Sequence, residues 1–116
     1  MDLAAMISSI KANPAYKTAG MIVCHNGIVR GTSRNGRAVT ELEVKADKAR
    51  LMGIVSEMKK RQGIVDVLAE VSEGRLKVGD DIMCIVVAGD VRENTFPILE
   101  EMVDKIKRLV LVETEI

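Results

Sequence analysis

The chain has no tryptophan, one tyrosine, one phenylalanine and one histidine. Any core it builds is therefore aliphatic, filled by Met, Val, Ile, Leu and Ala. It has no net charge, because 17 Lys and Arg balance 17 Asp and Glu. That balance argues against a general nucleic-acid binder and against a binder of anionic membranes, while leaving a local basic patch open. No run approaches the roughly 18 apolar residues of a membrane-spanning helix. The opening MDLAAMISSI carries no basic n-region, so it does not read as a signal peptide. The two cysteines, Cys24 and Cys84, lie in separate apolar runs without CxxC spacing. They read as buried thiols of a reducing, cytoplasmic setting, not as a disulfide or as metal ligands. No Ser-His-Asp set, P-loop or zinc pattern occurs, so neither a metal nor a cofactor is expected. A chain of 116 residues is read as a single domain, 1–116. A domain this small gains from an association surface that buries further apolar area.

What is present is a regular alternation of helical and strand patterns. Asp2 is placed to cap a first helix with Leu3, Met6, Ile7 and Ile10 on one face, and Asn13-Pro14 ends it. The stretch Gly20 to Gly31, GMIVCHNGIVRG, reads as a buried strand interrupted at Gly27. A polar loop, Thr32 to Arg37, follows with an Asn35-Gly36 turn. Val39 to Ala46 alternates as a half-buried strand. Asp47 caps a helix predicted over Lys48–Gln62, with Gly63 as its C-terminal glycine. Strands are predicted over Ile64–Val71, Arg75–Val78 and Ile82–Ala88, the last as the central one. A final helix is predicted from Glu93 to Leu109, then a short strand or tail from Val110 to Ile116. The order implies an α+β sandwich with a largely antiparallel sheet and three helices.

The chemistry-bearing residues are cationic. Arg30 stands where the first strand meets the glycine-rich loop, and a guanidinium there is either a solvated strand end or an anion holder. Arg34 and Arg37 put two more cations on the loop, which reads equally as a lid over a phosphorylated ligand or as a hairpin tip. Arg92 begins the last helix, where helix-start amides add to anion binding. Lys105 and Lys107 lie on the polar side of that helix, either solvated or as a proton shuttle or nucleophile. His25, inside the first strand, reads as packing more than as a catalyst.

Four motifs in order resemble the large (catalytic) subunit of molybdopterin synthase. The resemblance runs from the first helix almost to the C-terminus. Gly20, Gly27, Val29 and Arg30 match that family's G-x-x-x-x-F-x-G-x-V-R strand, with His25 in the place of the aromatic. Leu42-Glu43 matches the strand before its middle helix. Gly74-Arg75-Leu76-Lys77-Val78-Gly79-Asp80 matches its G-R-L-x-V-G-[DE] turn. Arg92 matches the arginine of its A-H-R segment, with Phe96 four residues on.

The resemblance implies an α/β-hammerhead-like fold, a homodimer and a cytoplasmic role in molybdenum cofactor biosynthesis. It implies a partner, a ubiquitin-like sulfur carrier whose Gly-Gly C-terminus inserts as a thiocarboxylate. The implied substrate is a pterin phosphate, cyclic pyranopterin monophosphate. Lys107 matches the first of two functional lysines and is the implied catalytic residue, with Arg30, Arg92, Arg37 and Lys105 as substrate-binding residues. If active, the chain is a sulfurtransferase. Three positions depart from the pattern. Val91 stands for the histidine before Arg92, Val71-Ser72-Glu73-Gly74 stands for H-R-x-G, and Thr114 stands for the second lysine. The alternative is a non-catalytic dimeric relative that binds an anion or pterin. A third reading is an unrelated small α+β assembly protein.

Overall fold

Side chains that cap backbone amides set where the helices begin. In the computed structural model, which describes residues 1–116, Asp2 accepts from Ala5 N at 3.1 Å and starts α1, Leu3–Lys11. Asn13 accepts from Ala15 N at 2.9 Å and starts a 3-10 turn, Pro14–Thr18. Asp47 accepts from Arg50 N at 3.0 Å and starts α2, Lys48–Met58. The last helix, α3 (Arg92–Lys105), follows Val91, which has no side chain to cap with. Asp90, just before it, accepts from Val91 N at 2.6 Å and Asn94 Nδ2 at 2.9 Å, which braces the turn into the helix without capping its own amides.

Two helices are shorter than their apolar patterns predict. After Met58 the bonds tighten, with Lys60 N donating to Glu57 O and Arg61 N to Met58 O, both at 3.1 Å. The chain then turns through Gly63 at φ +75°. Helix α3 keeps α geometry only to Lys105. Residues Ile106–Val110 form a π-turn, which buries both Ile106 and Val110 before the chain becomes a strand.

The strands are β1 (Met21–Ile28), β2 (Glu41–Ala46), β3 (Ile64–Val71), β4 (Gly74–Lys77), β5 (Asp81–Gly89) and β6 (Leu111–Glu115). All pairings are antiparallel, and they divide into two three-stranded sheets, β1-β5-β3 and β4-β2-β6. The α+β reading with three helices holds. β5 is central, as its unbroken apolar run requires: Ile82 to Ala88 are all buried. The C-terminal segment is a true strand, paired to β2 from Leu42↔Glu115 to Ala46↔Leu111.

One face of the β1-β5-β3 sheet packs Cys84, Val86 and Ala88 against Met6 and Ile10 of α1. The other face buries Val23, Met83, Ile85, Val87 and Val67. Leu51, Ile54 and Met58 of α2, Ile98 and Met102 of α3, and Leu42, Val44 and Leu111 of the second sheet complete that core. Cys84 is buried, as read, but Cys24 is exposed. It sits on edge strand β1, beyond the reach of the short α1. No helix is long and apolar enough to cross a membrane.

Candidate functional site

The first strand ends at Ile28 after a register shift between Gly27 and Ile28. Val29 continues by pairing with the β4–β5 turn, donating to Asp80 O and accepting from Gly79 N, both at 2.9 Å. That leaves Arg30 as the first exposed residue past a buried anchor, since Val29 is buried. Its Nε donates to Thr32 O at 2.8 Å, which fixes the guanidinium's direction. The loop after it is a hairpin tip. Thr32 and Ala38 bridge, Ser33 N donates to Arg37 O at 2.8 Å, and Gly36 takes φ +86°.

Arg30, Arg34 and Lys107 share a groove of about 820 Å³ with Thr32, Ser33 and the β6 carboxylates Glu113 and Glu115. Its apolar floor includes Val39, Leu42, Ile82 and Leu111. Three cations against two carboxylates make it mildly positive. A second groove of about 970 Å³ adjoins it, with Arg34 and Lys107 common to both walls. That groove adds His25, Phe96, Glu100, Glu101 and Asp104.

Lys107 thus stands between two grooves on the π-turn. Turns of this kind recur at functional positions because they re-aim a side chain without breaking the helix. Its Nζ lies 3.5 Å from Glu113 Oε1, with both side chains partly exposed. The ammonium is paired with that carboxylate and not simply solvated. His25 has its pKa lowered from the ordinary 6.5, first by burial and then by the Lys107 charge, so the imidazole is neutral at pH 7.

The other predicted site residues lie elsewhere. Arg92 is exposed, 3.2 Å from Glu93 Oε1, and lines a separate depression with Gly20, Met21, Asp90, Val91 and Phe96. Within one chain it does not converge with Arg30. Arg37 projects from the hairpin tip outside both grooves. Lys105 is bound to Glu101 at 3.2 Å, and Glu101 also accepts both arms of Arg61 at 2.7 and 3.0 Å. Those bonds from Arg61 hold the Glu101 carboxyl below the usual range. Thr114 lies on β6 between Glu113 and Glu115. Strand alternation sends those two into the groove and Thr114 to the opposite face. The sequence reading missed Glu113 and Glu115. Their signal was the spacing of two in a segment left undecided between strand and tail. No cluster of three His, Cys, Asp or Glu side chains is placed to hold a metal ion.

The fold matches solved structures closely. A molybdopterin cofactor biosynthesis protein E from Burkholderia multivorans ATCC 17616 superimposes with a TM-score of 0.79 at 26% identity, over 99% of this chain and 80% of that one. Molybdopterin synthase from Staphylococcus aureus gives 0.74 at 24%, over 86% and 76%. A complex of subunits 1 and 2 of the molybdopterin-converting factor of Helicobacter pylori 26695 gives 0.73 at 18%, over 99% and 78%. No curated protein sequence matches the chain. A family model described as MoaE protein matches residues 1–109, nearly the whole chain, and the chain belongs to that family.

Proposed function

We propose that this chain is the large subunit of a synthase that transfers sulfur from a carrier thiocarboxylate to a pterin phosphate. Its role in molybdenum cofactor biosynthesis follows from the family. The observation that supports the sulfur-transfer reading is the groove that joins Lys107 to Arg30 and Arg34 over an apolar floor. An extended Gly-Gly tail needs a narrow cleft, its terminal thiocarboxylate needs cations, and acyl chemistry needs a nearby amine. The partner is a small ubiquitin-like carrier. A two-subunit assembly of this kind is the Helicobacter pylori complex, whose fold this chain shares.

The active form in this reading is a homodimer. The surface is 6872 Å², against about 6,200 Å² expected for a compact chain of this mass. The radius of gyration is 14.9 Å, against about 13.4 Å. The excess suits a protomer with area left to bury. A second copy is also what would bring an Arg92 to the Arg30 groove.

A non-catalytic binding module is favoured by two observations. Thr114 faces away from the groove, and Glu113 occupies the ammonium of Lys107. The deciding experiment incubates the protein with a thiocarboxylated carrier and cyclic pyranopterin monophosphate and assays dithiolene product. Product is expected from wild type and not from Lys107→Ala. No product from wild type refutes the synthase reading and leaves the binding module.

A further inference from the structure

His25 is held in an arrangement that packing alone does not explain. Its Nε2 is the chain's one buried side-chain nitrogen or oxygen without a hydrogen-bond partner. Leaving such a group unpaired costs on the order of 1–3 kcal/mol. A phenyl ring would fill the same volume at no such cost. The ring lies along the strand over Gly27. A Cβ at residue 27 would come 3.4 Å from Nε2 and 3.2 Å from Met83 Cγ, so the glycine makes the room that the imidazole uses. Neither ring nitrogen bonds within the chain. Nε2 is enclosed, which leaves Nδ1 as the nitrogen the groove reaches.

That groove is the one whose wall Lys107 and Arg34 share with the cationic cleft. The charged groups facing it are Lys107 from the π-turn, Arg34 from the hairpin, and Glu100, Glu101 and Asp104 from α3. Glu101 is already occupied by Arg61 and Lys105, and Asp104 by Arg108 at 3.0 Å. From β5, Met83 adds no charge. Of these charges it is Lys107 that acts on the ring, and a cation beside an imidazole favours its neutral, proton-accepting form.

We propose that His25 is the general base that activates water to release sulfur from the carrier tail. This rests on the sulfur-transfer reading above. When a thiocarboxylate sulfur bonds to a substrate carbon, the product is a thioester: the sulfur is still joined to the carrier's acyl carbon. Freeing it requires a nucleophile at that carbon. Water supplies the oxygen, and Nδ1 of His25 takes its proton as the C–O bond forms. The C–S bond breaks with its electron pair going to sulfur. The carrier leaves as a carboxylic acid that ionises to solvent, the substrate keeps a thiolate, and the imidazolium returns the other proton to solvent. A neutral imidazole within reach of water is suited to this step. Lys107 and Arg34 stand between the grooves, where they counter the negative charge on the acyl oxygen.

The experiment uses the full chain with a thiocarboxylated carrier and cyclic pyranopterin monophosphate, comparing wild type, His25→Phe and His25→Gln. Thermal unfolding verifies that each variant folds. Mass spectrometry of quenched reactions follows the covalent carrier–pterin adduct. The expected result is at least a 10-fold loss of dithiolene product in both variants, with the adduct accumulating. The wild-type rate should hold at pH 6.5 and fall only at lower pH, because the folded imidazole takes up its proton below its ordinary value, and the His25→Phe rate should lose that limb. Full rate with an unchanged pH profile in a folded His25→Phe overturns the proposal while the synthase reading stands. Absence of any product or adduct from wild type overturns both.

Discussion

Arg30→Ala is the most informative single change, because the structure fixes what the side chain can contribute. Its Nε is already committed to Thr32 O at 2.8 Å. The terminal nitrogens are what remain for a ligand in the groove with Arg34 and Lys107. A unit charge about 5 Å from an anionic oxygen, at an effective dielectric of about 40, is worth roughly 1.7 kcal/mol. A charge-assisted hydrogen bond contributes about 1.5–3 kcal/mol by mutational measurement. The two estimates describe the same interaction and agree. Loss of Arg30 should therefore weaken binding of a pterin phosphate roughly 10- to 150-fold. Because the residue is exposed, 0.5 M salt should shrink the difference. Isothermal titration calorimetry on wild type, Arg30→Ala and Arg37→Ala measures it. Arg37 lies outside the groove and its removal should change affinity less than about twofold, as for a distant surface charge. Arg92→Ala adds a second axis: it should match Arg30→Ala only if a second protomer brings Arg92 to the groove. Unchanged affinity in Arg30→Ala refutes the groove as the anion site.

Light scattering at micromolar protein should give twice the 12.7 kDa chain mass; a lone monomer counts against the excess-surface argument. Thr114→Lys should not raise turnover, because that side chain leaves the opposite face of β6. Glu113→Lys puts an amine on the groove face and removes the Lys107 partner, so it is the substitution expected to change activity. A gain from Thr114→Lys alone would show the strand alternation argument to be wrong. For stability, His25 has a folded pKa below its unfolded 6.5. The unfolded chain then takes up the proton first, so the His25 contribution is full above pH 6.5 and is lost as pH falls below it. The urea midpoint of wild type minus that of His25→Phe should decline in that window. A flat difference refutes the burial of His25. Glu101 and Asp90, both depressed by hydrogen bonds, lose their contributions only below about pH 4.5 and 3.8, their ordinary values.

Much of the fold was legible because local rules and tertiary packing agree. Asp2 and Asp47 are caps in the sequence and caps in space. The unbroken run Ile82–Ala88 can only be a strand covered on both faces, and it is. Gly63 and Gly36 take the positive φ that their turns require. The four spaced motifs pointed to the family over nearly the whole chain. Other features depend on contacts distant in sequence. The antiparallel strands split into two sheets because β2 finds β6, some 65 residues on, as its neighbour. That pairing turns Glu113 and Glu115 toward the Arg30 groove and Thr114 away from it, which no reading of a seven-residue tail decides. Charge counting could not tell Lys105 from Lys107. The two are only two residues apart, yet one pairs with Glu101, which Arg61 also holds, while the other is carried by the π-turn to the wall between two grooves. His25 looked like packing because its strand is apolar. Only the placement of the π-turn across from β1 set a cation beside an imidazole whose Nε2 has no partner.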